Sequence, residues 1–285
     1  MHIQLAEHYG LCFGVRDAIA EAEQMAQHGP LTILGELVHN PIVRERLIRA
    51  GVREGGLDRP ADTHRVMITA HGASDAARAA WGATGRYVAD GTCPLVRHAH
   101  NQLRRLVDAG FFPVVIGKRG HVEVNGLTGD FPEACVVQEE ADIVELPFDR
   151  GLGLISQTTQ PIERVLALVE AIRAERPGSE VRFVDTVCQP TKNRQMALRK
   201  LLAECEMLVV VGGRNSNNTL QLVAAAEVAG RTVFHVERAA ELRPEWFEHG
   251  QRVGVTAGTS TLRETVAEVC GRLAEIAESI QPATH

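Results

Sequence analysis

Three cysteines of this 285-residue chain, Cys12, Cys93 and Cys188, each follow a short apolar run and precede a helix-period pattern. The turns read Gly10-Leu11-Cys12-Phe13-Gly14, Gly91-Thr92-Cys93-Pro94 and Asp185-Thr186-Val187-Cys188. A thiol at the start of a helix is biased toward thiolate by the positive end of the helix dipole. Three such thiolates suit a zinc ion with water as fourth ligand, or an iron–sulfur cluster one ligand short. Zinc sites usually draw cysteines in close C-x-x-C pairs, and none occurs here. Thiols 81 and 95 residues apart suit a larger object. A [4Fe–4S] cluster on three thiolates leaves one iron open, able to act as a Lewis acid and to pass electrons. Cys135, Cys205 and Cys270 fit no such turn; the last two fall in helical patterns and read as core residues.

The polar residues recur in step with the cysteines. Cys12 to His39 is 27 residues, Cys93 to His121 is 28 and Cys188 to Ser216 is 28. Two polar stretches follow each cysteine: 36–40 and 69–72, then 118–123 and 156–159, then 214–218 and 256–260. They offer His39, His71, His121, Thr158, Ser216, Asn218 and Ser260, with backbone amides at helix starts. Neutral donors of this kind, converging at strand ends, make an anion site with phosphate as the usual guest. The G-x-x-x-x-G-K-[ST] and G-x-G-x-x-G patterns are absent, so nucleotide and dinucleotide sites have no support. Glu123 is the carboxylate two residues after His121 and the natural proton donor; its plain alternative is a solvated loop acid.

Residues so spaced need elements to hold them. Apolar strands are expected at 2–5, 31–34, 86–88, 113–116, 181–184 and 208–211. Behind the cysteines, apolar residues fall at helical spacing: Val15, Ala18, Ile19, Ala22; Val96, Ala99, Leu103, Leu106; Ala197, Leu198, Leu201, Leu202. Strands alternating with helices read as parallel α/β units, which bind ligands beyond the carboxyl ends of their strands. The period near 90 residues divides the chain into three α/β lobes, 1–92, 93–187 and 188–285. The N-terminal strand is also a candidate for the third lobe's sheet. A single long doubly wound sheet with unrelated polar loops would give a similar order of elements.

Composition narrows the function classes. Apolar residues make up 45% and charged residues 23%, the balance of a globular protein rather than a disordered or fibrous one. Thirty Lys+Arg against 36 Asp+Glu give −6, which argues against a general nucleic-acid binder. The longest aliphatic run, Met207 to Val211, is too short for a membrane span. The first residues carry neither the basic nor the apolar region of an export signal, so a cytoplasmic location with reduced thiols is expected.

The motifs, taken in order, resemble those of the 4-hydroxy-3-methylbut-2-enyl diphosphate (HMBPP) reductases, the IspH/LytB family of isoprenoid biosynthesis. They are Gly10-x-Cys12-x-Gly14-Val15, Val38-His39-Asn40, Ala70-His71-Gly72 and Thr92-Cys93-Pro94-Leu95-Val96. Gly120-His121-x-Glu123-Val124-x-Gly126, Gln157-Thr158-Thr159 and Cys188-x-x-Thr191-x-x-Arg194-Gln195 follow. Asn215-Ser216-x-Asn218 and Val255-Thr256-Ala257-Gly258-x-Ser260 complete the set. The resemblance implies a trefoil of three α/β lobes around a [4Fe–4S] cluster held by Cys12, Cys93 and Cys188. It implies that His39, His71, His121, Ser216, Asn218 and Ser260 hold a diphosphate, with Asn217 among them, and that Thr158 and Glu123 lie beside the substrate hydroxyl. The implied reaction is a two-electron reductive dehydroxylation to isopentenyl and dimethylallyl diphosphate, the last step of the methylerythritol phosphate pathway. Ferredoxin or flavodoxin is the implied electron donor.

The chain departs from the family pattern at several places. Leu11 stands for Phe, Asp17-Ala18-Ile19 for Arg-Ala-Ile, Val122 for Pro and Asn217 for Ser. Asn217 bears most on the substrate, because its neighbours touch the diphosphate in this reading. The competing readings are a diverged paralogue reducing another hydroxylated anion, and a non-redox zinc hydrolase on three cysteines or an anion-binding protein.

These assignments separate the six cysteines by experiment. Replacing Cys12, Cys93 or Cys188 by Ser should lower iron content and abolish turnover, because a hard hydroxyl is a poor ligand at a soft site. Cys135, Cys205 and Cys270 should accept Ser with iron retained, at about 1–3 kcal/mol of folding stability where buried. Metal analysis of the six variants checks this. Iron lost from Cys205→Ser but kept in Cys188→Ser would overturn the assignment.

Overall fold

The computed structural model describes residues 1–38 and 40–280. The chain opens with β1 (His2–Leu5) and α1 (Phe13–Gln27). Next come β2 (Leu31–Ile33), α2 (Pro41–Arg49), β3 (Val52–Glu54), β4 (Arg65–Ile68), α3 (Asp75–Gly82) and β5 (Tyr87–Asp90). The middle of the chain forms α4 (Pro94–Asp108), β6 (Phe112–Ile116), α5 (Val122–Thr128), β7 (Cys135–Val137), β8 (Leu152–Ser156), α6 (Ile162–Glu175) and β9 (Val181–Phe183). The last part is α7 (Gln189–Glu204), β10 (Met207–Val211), α8 (Asn217–Val228), β11 (Thr232–Val236), β12 (Arg252–Ala257) and α9 (Arg263–Ser279).

Among the described residues the strands form three separate sheets, in the orders β3-β2-β4-β5, β7-β6-β8-β9 and β1-β12-β10-β11. Every pairing in them is parallel. Three four-stranded lobes therefore replace the single long sheet that the element order also allowed. β1 pairs with β12, His2 opposite Arg252 through Leu5 opposite Val255, so the N-terminal strand belongs to the last sheet. By compactness the chain falls into two units. One comprises Met1–Val15, Val38–Arg46 and the chain from Lys192 onward, and holds the sheet of β1, β12, β10 and β11. The other comprises Arg16–Leu37 and Leu47–Thr191, and holds the other two sheets.

Burial follows position in each sheet. The inner strands β6 (FPVVI), β8 (LGLIS) and β10 (MLVVV) are buried throughout, as continuous apolar runs covered on both faces should be. Edge strands such as β3 and β1 are partly exposed. Pro113 is tolerated in β6 because pairing with β7 begins one residue later, at Val114. One face of the middle sheet packs on Val165, Leu168, Val169 and Ile172 of α6. Its other face packs on Ala99, Leu103 and Leu106 of α4 with Val124 and Leu127 of α5. Each fully buried Leu, Ile or Val contributes about 1.5–3 kcal/mol.

The helix behind each cysteine forms as its spacing requires. α1, α4 and α7 begin at Phe13, Pro94 and Gln189, one residue after Cys12, Cys93 and Cys188. They bury Ala18, Ile19 and Ala22; Val96, Ala99, Leu103 and Leu106; and Ala197, Leu198 and Leu201. Strand bounds otherwise shift by single residues from the sequence expectation, and two differences have a plain cause. β5 runs to Asp90 rather than Val88 because it pairs along all of β4. Two stretches expected as loops end inside helices, because His121 and Ser216 are N-caps: their side chains accept the amides of Glu123 and Thr219. No helix among the described residues is long and apolar enough to cross a membrane.

Gly10 shows how a cysteine turn is held. Its φ is +68°, its amide donates to the Ala257 carbonyl at 3.2 Å, and its own carbonyl accepts from the buried Arg194. The Leu11 amide donates to the Thr261 carbonyl at 2.9 Å, and an added Cβ on Gly10 would stand 3.0 Å from that same oxygen. Gly10→Ala should therefore cost about 1–3 kcal/mol through backbone strain. Urea unfolding measures it, and an unchanged midpoint would show the turn to be free to relax.

Candidate functional site

Because every strand in a sheet points the same way, the polar turns all follow strand carboxyl ends. In the larger unit, Cys93 is the N-cap of α4 with Pro94 behind it, and its amide donates to the Ala70 carbonyl at 3.0 Å. That bond ties the Cys93 turn to the His71 turn. Asp90, three residues ahead of Cys93, accepts the Thr92 amide at 3.1 Å and also its hydroxyl. Arg78 donates to the Thr92 hydroxyl at 3.0 Å, and Arg97 stands 3.2 Å from Asp90. Burial opposes the charge on Asp90, but the Thr92 hydrogen bonds and the two guanidinium groups outweigh it, holding its pKa below the usual carboxylate value. Asp185, three residues ahead of Cys188, likewise accepts an amide of its turn, that of Val187, at 3.0 Å. This Asp-x-x-Cys pair is a site feature that sequence reasoning missed, although the spacing stands in the sequence twice.

Glu123 occupies the first turn of α5 at 1% exposure, so it is no solvated loop acid. Its carboxylate oxygen Oε1 accepts the Thr158 amide at 2.7 Å, and the Thr158 hydroxyl bonds it too. Burial pushes its pKa up to about 7, the Thr158 hydrogen bonds only partly offsetting that cost. The Thr158 carbonyl in turn accepts the Cys188 amide at 2.9 Å. Acid and cysteine turn are thus bonded through opposite sides of one residue. The Glu123 amide donates to His121 Nδ1 at 3.1 Å, which leaves Nε2 as the proton-bearing nitrogen of a neutral ring. His71 and His121 meet edge to face with centroids 5.6 Å apart. Gln157, fully buried, accepts the Lys118 amide at 3.0 Å and fixes the loop before His121.

The other unit carries Cys12 and the hydroxyl and amide donors. Ser216 caps α8, Asn218 Oδ1 accepts the Thr259 amide at 3.0 Å, and the Ser260 hydroxyl lies 3.5 Å from that of Ser216. Asn40 donates from Nδ2 to the Ser260 carbonyl at 2.7 Å and caps α2 by accepting the Ile42 amide at 2.9 Å. Ser216, Asn218, Ser260 and Asn40 therefore form one polar cluster at the α8 N-terminus. His39 lies outside the described residues. Asn217 Nδ2 is buried with no hydrogen-bond partner among the described residues. Buried donors are normally paired, so this one fits an anionic guest.

Arginines in the equivalent loops are already committed. Arg119 pairs with Asp142 at 2.9 Å and its amide donates to Gln138. Arg214 pairs with Glu241 at 2.8 Å and its amide donates to Glu237. Neither guanidinium is thus left over in its loop, beside the His, Ser and Asn side chains there.

None of the six cysteines is in a disulfide. Burial pushes the Cys135, Cys205 and Cys270 thiols up, keeping them protonated, as suits structural residues. Cys12, Cys93 and Cys188 are half-buried and each adjoins a helix start. By the chemistry of the donor alone, soft thiolate sulfur suits an iron–sulfur cluster. No group of three His, Cys, Asp or Glu residues suited to holding a metal ion occurs among the described residues.

A family model described as LytB protein matches residues 3–274. A 4-hydroxy-3-methylbut-2-enyl diphosphate reductase of Aquifex aeolicus (strain VF5) is 35% identical over 285 residues, covering 97% of each chain. One of the same name from Azotobacter vinelandii (strain DJ) is 36% identical over 283 residues, 96% of this chain and 90% of the relative. A solved structure of (E)-4-hydroxy-3-methyl-but-2-enyl diphosphate reductase, described as the terminal enzyme of the non-mevalonate pathway, matches with TM-score 0.71 and 33% identity. It spans 96% of this chain and 100% of that one. The E-1-hydroxy-2-methyl-but-2-enyl-4-diphosphate reductase of Plasmodium falciparum shares the fold with TM-score 0.90 at 24% identity, over 100% of this chain and 93% of that one.

The buried acid makes stability depend on pH. Glu123 holds its proton in the fold up to about 7, against 4.5 for an ordinary glutamate. The unfolded chain releases the proton first, so this contribution is full below 4.5 and is lost as pH rises through 7. Relative to Glu123→Gln, the wild-type protein should lose on the order of 3 kcal/mol across that window. Urea unfolding of both at several pH values checks it; a constant difference would mean that Glu123 is not buried as a neutral acid.

Proposed function

The chain belongs to the LytB family, and from that premise we propose that it converts HMBPP to isopentenyl and dimethylallyl diphosphate by reductive dehydroxylation. The observation that carries this reading is the bonded run from Glu123 through Thr158 to the Cys188 turn. It links a buried acid, through one residue, to the turn that carries one of the three thiols. The donor set fits the family, so Cys12, Cys93 and Cys188 are the residues to hold a [4Fe–4S] cluster. When bound, that group supplies electrons singly and an iron without a cysteine ligand as Lewis acid.

The chain's own residues do the rest. His39, His71, His121, Ser216, Asn217, Asn218 and Ser260 bind the diphosphate through neutral donors, with the α8 N-terminus adding its amides. The unpartnered Asn217 amide takes a phosphate oxygen, so the Ser-to-Asn departure is compatible with the same substrate. Thr158 fixes the Glu123 carboxyl with its amide and hydroxyl. Glu123, with its pKa near 7, still carries a proton near neutrality and gives it to the departing hydroxyl. Two electrons and two protons enter, one C–O bond breaks and a C–H bond forms, and water leaves. A ferredoxin or flavodoxin delivers the electrons, in the reducing cytoplasm where the thiols stay available.

Purification without oxygen tests the reading. Brown protein with iron and sulfide near about four per chain, turning over HMBPP with reduced ferredoxin or a dye, is the expected result. Colourless zinc protein, or clustered protein inert toward HMBPP, would overturn it. Glu123→Gln should keep iron and substrate binding while turnover falls at least ~10²-fold. In the wild type, activity should fall on the alkaline side as Glu123 loses its proton near about 7. A variant near wild-type rate would remove Glu123 from the chemistry.

A further inference from the structure

The position three residues after each cysteine lies in the first turn of the helix that follows: Val15, Val96 and Thr191. Two valines and one threonine have almost the same shape, so a single hydroxyl distinguishes the third turn. Thr191 is 1% exposed; its amide donates to the Cys188 carbonyl at 3.0 Å and its Oγ1 stands 3.1 Å from Cys188 Sγ. A sulfur bound to metal has lost its proton, so in that state the Thr191 hydroxyl must be the donor. A valine has no such proton to give.

We propose that Thr191 is a positioning residue that raises the reduction potential of the cluster through its hydrogen bond to the Cys188 sulfur. The inference rests on the cluster reading above. Hydrogen bonds to ligand sulfur are among the levers that set such potentials. Each electron taken up adds negative charge to the sulfur ligands, and a donor stabilises the more charged form more strongly. The hydroxyl therefore favours the reduced state. It also acts on one thiol of the three, so the added charge is held unequally, toward Cys188. Burial adds to the effect, because water does not compete for the Thr191 hydroxyl.

Thr191→Val removes the hydroxyl and keeps the shape that Val15 and Val96 show in the equivalent turns. Thr191→Ser keeps the hydroxyl and loses the methyl. Anaerobically purified wild type and variants would be assayed for iron and sulfide. Each would then be titrated with dithionite-poised mediators, followed by visible absorption and electron paramagnetic resonance. Thr191→Val should keep its cluster while the one-electron reduction equilibrium falls about tenfold, a midpoint about 59 mV lower. Thr191→Ser should stay within about threefold of wild type, less than half that shift. Should the valine variant fail to fold, Thr191→Ala must show the lowered midpoint in its place. Equal midpoints in wild type and Thr191→Val, or a serine variant shifted as far as the valine one, would overturn the proposal. A wild-type protein without iron and sulfide would instead overturn the cluster reading on which it stands.

Discussion

The two backbone bonds of Thr158 are the interaction on which the polar turns of the larger unit depend. Its amide holds a glutamate that burial keeps protonated, and its carbonyl holds the amide of a cysteine turn. Neither bond needs a particular side chain at residue 158, so the link is set by where β8 ends and how the chain turns there. Desolvation alone would raise the acid further; the Thr158 amide and hydroxyl draw it back toward neutrality. An acid with a pKa near the working pH both keeps and gives its proton readily. Burial and hydrogen bonding are here opposed, and their balance leaves the Glu123 pKa at about 7.

Parallel pairing supplies the second constraint. A strand that can pair only in parallel must return through a helix, so each sheet sends all its turns to one edge and all its crossovers to the faces. The polar and cysteine turns then follow strand carboxyl ends without any further arrangement. The likeness among lobes extends to details: Arg119 and Arg214 occupy matching places and are both neutralised by a carboxylate further along the chain. It also breaks at chosen points. Asp90 and Asp185 brace two cysteine turns, while the third is held by Gly10, Arg194 and the Thr261 carbonyl. The difference follows from chain order, because Cys12 follows the N-terminal strand, which joins a sheet built mainly from the other end of the chain.

The proposed donor set is neutral although the proposed guest is highly charged. With the nearby guanidinium groups paired elsewhere, recognition falls to imidazole, hydroxyl and amide groups and to a helix start. Such donors bind an anion by geometry more than by net charge. In that reading a protein of net charge −6 takes a diphosphate without a general affinity for polyanions.

Much of this was legible in the sequence because it is local. Strand and helix patterns, the cysteine at each helix start and the polar turns at matched offsets depend on residues within a few positions of one another. Apolar spacing alone decides which face of α4 is buried, and Val96, Ala99, Leu103 and Leu106 are the residues so placed. Glu123 could be named as the acid from its position beside His121. Its burial could not, since that depends on Thr158, 35 residues away, closing over it. The same holds for Asn40 bonding Ser260 across 220 positions and Arg194 reaching Gly10 across 184. The repeat of about 90 residues pointed to three sheets rather than one, but strand order within each was not readable, because every central strand reads alike. Partner choice between strands, and the desolvation that moves a pKa, arise only when distant segments exclude water together; tertiary structure decided both.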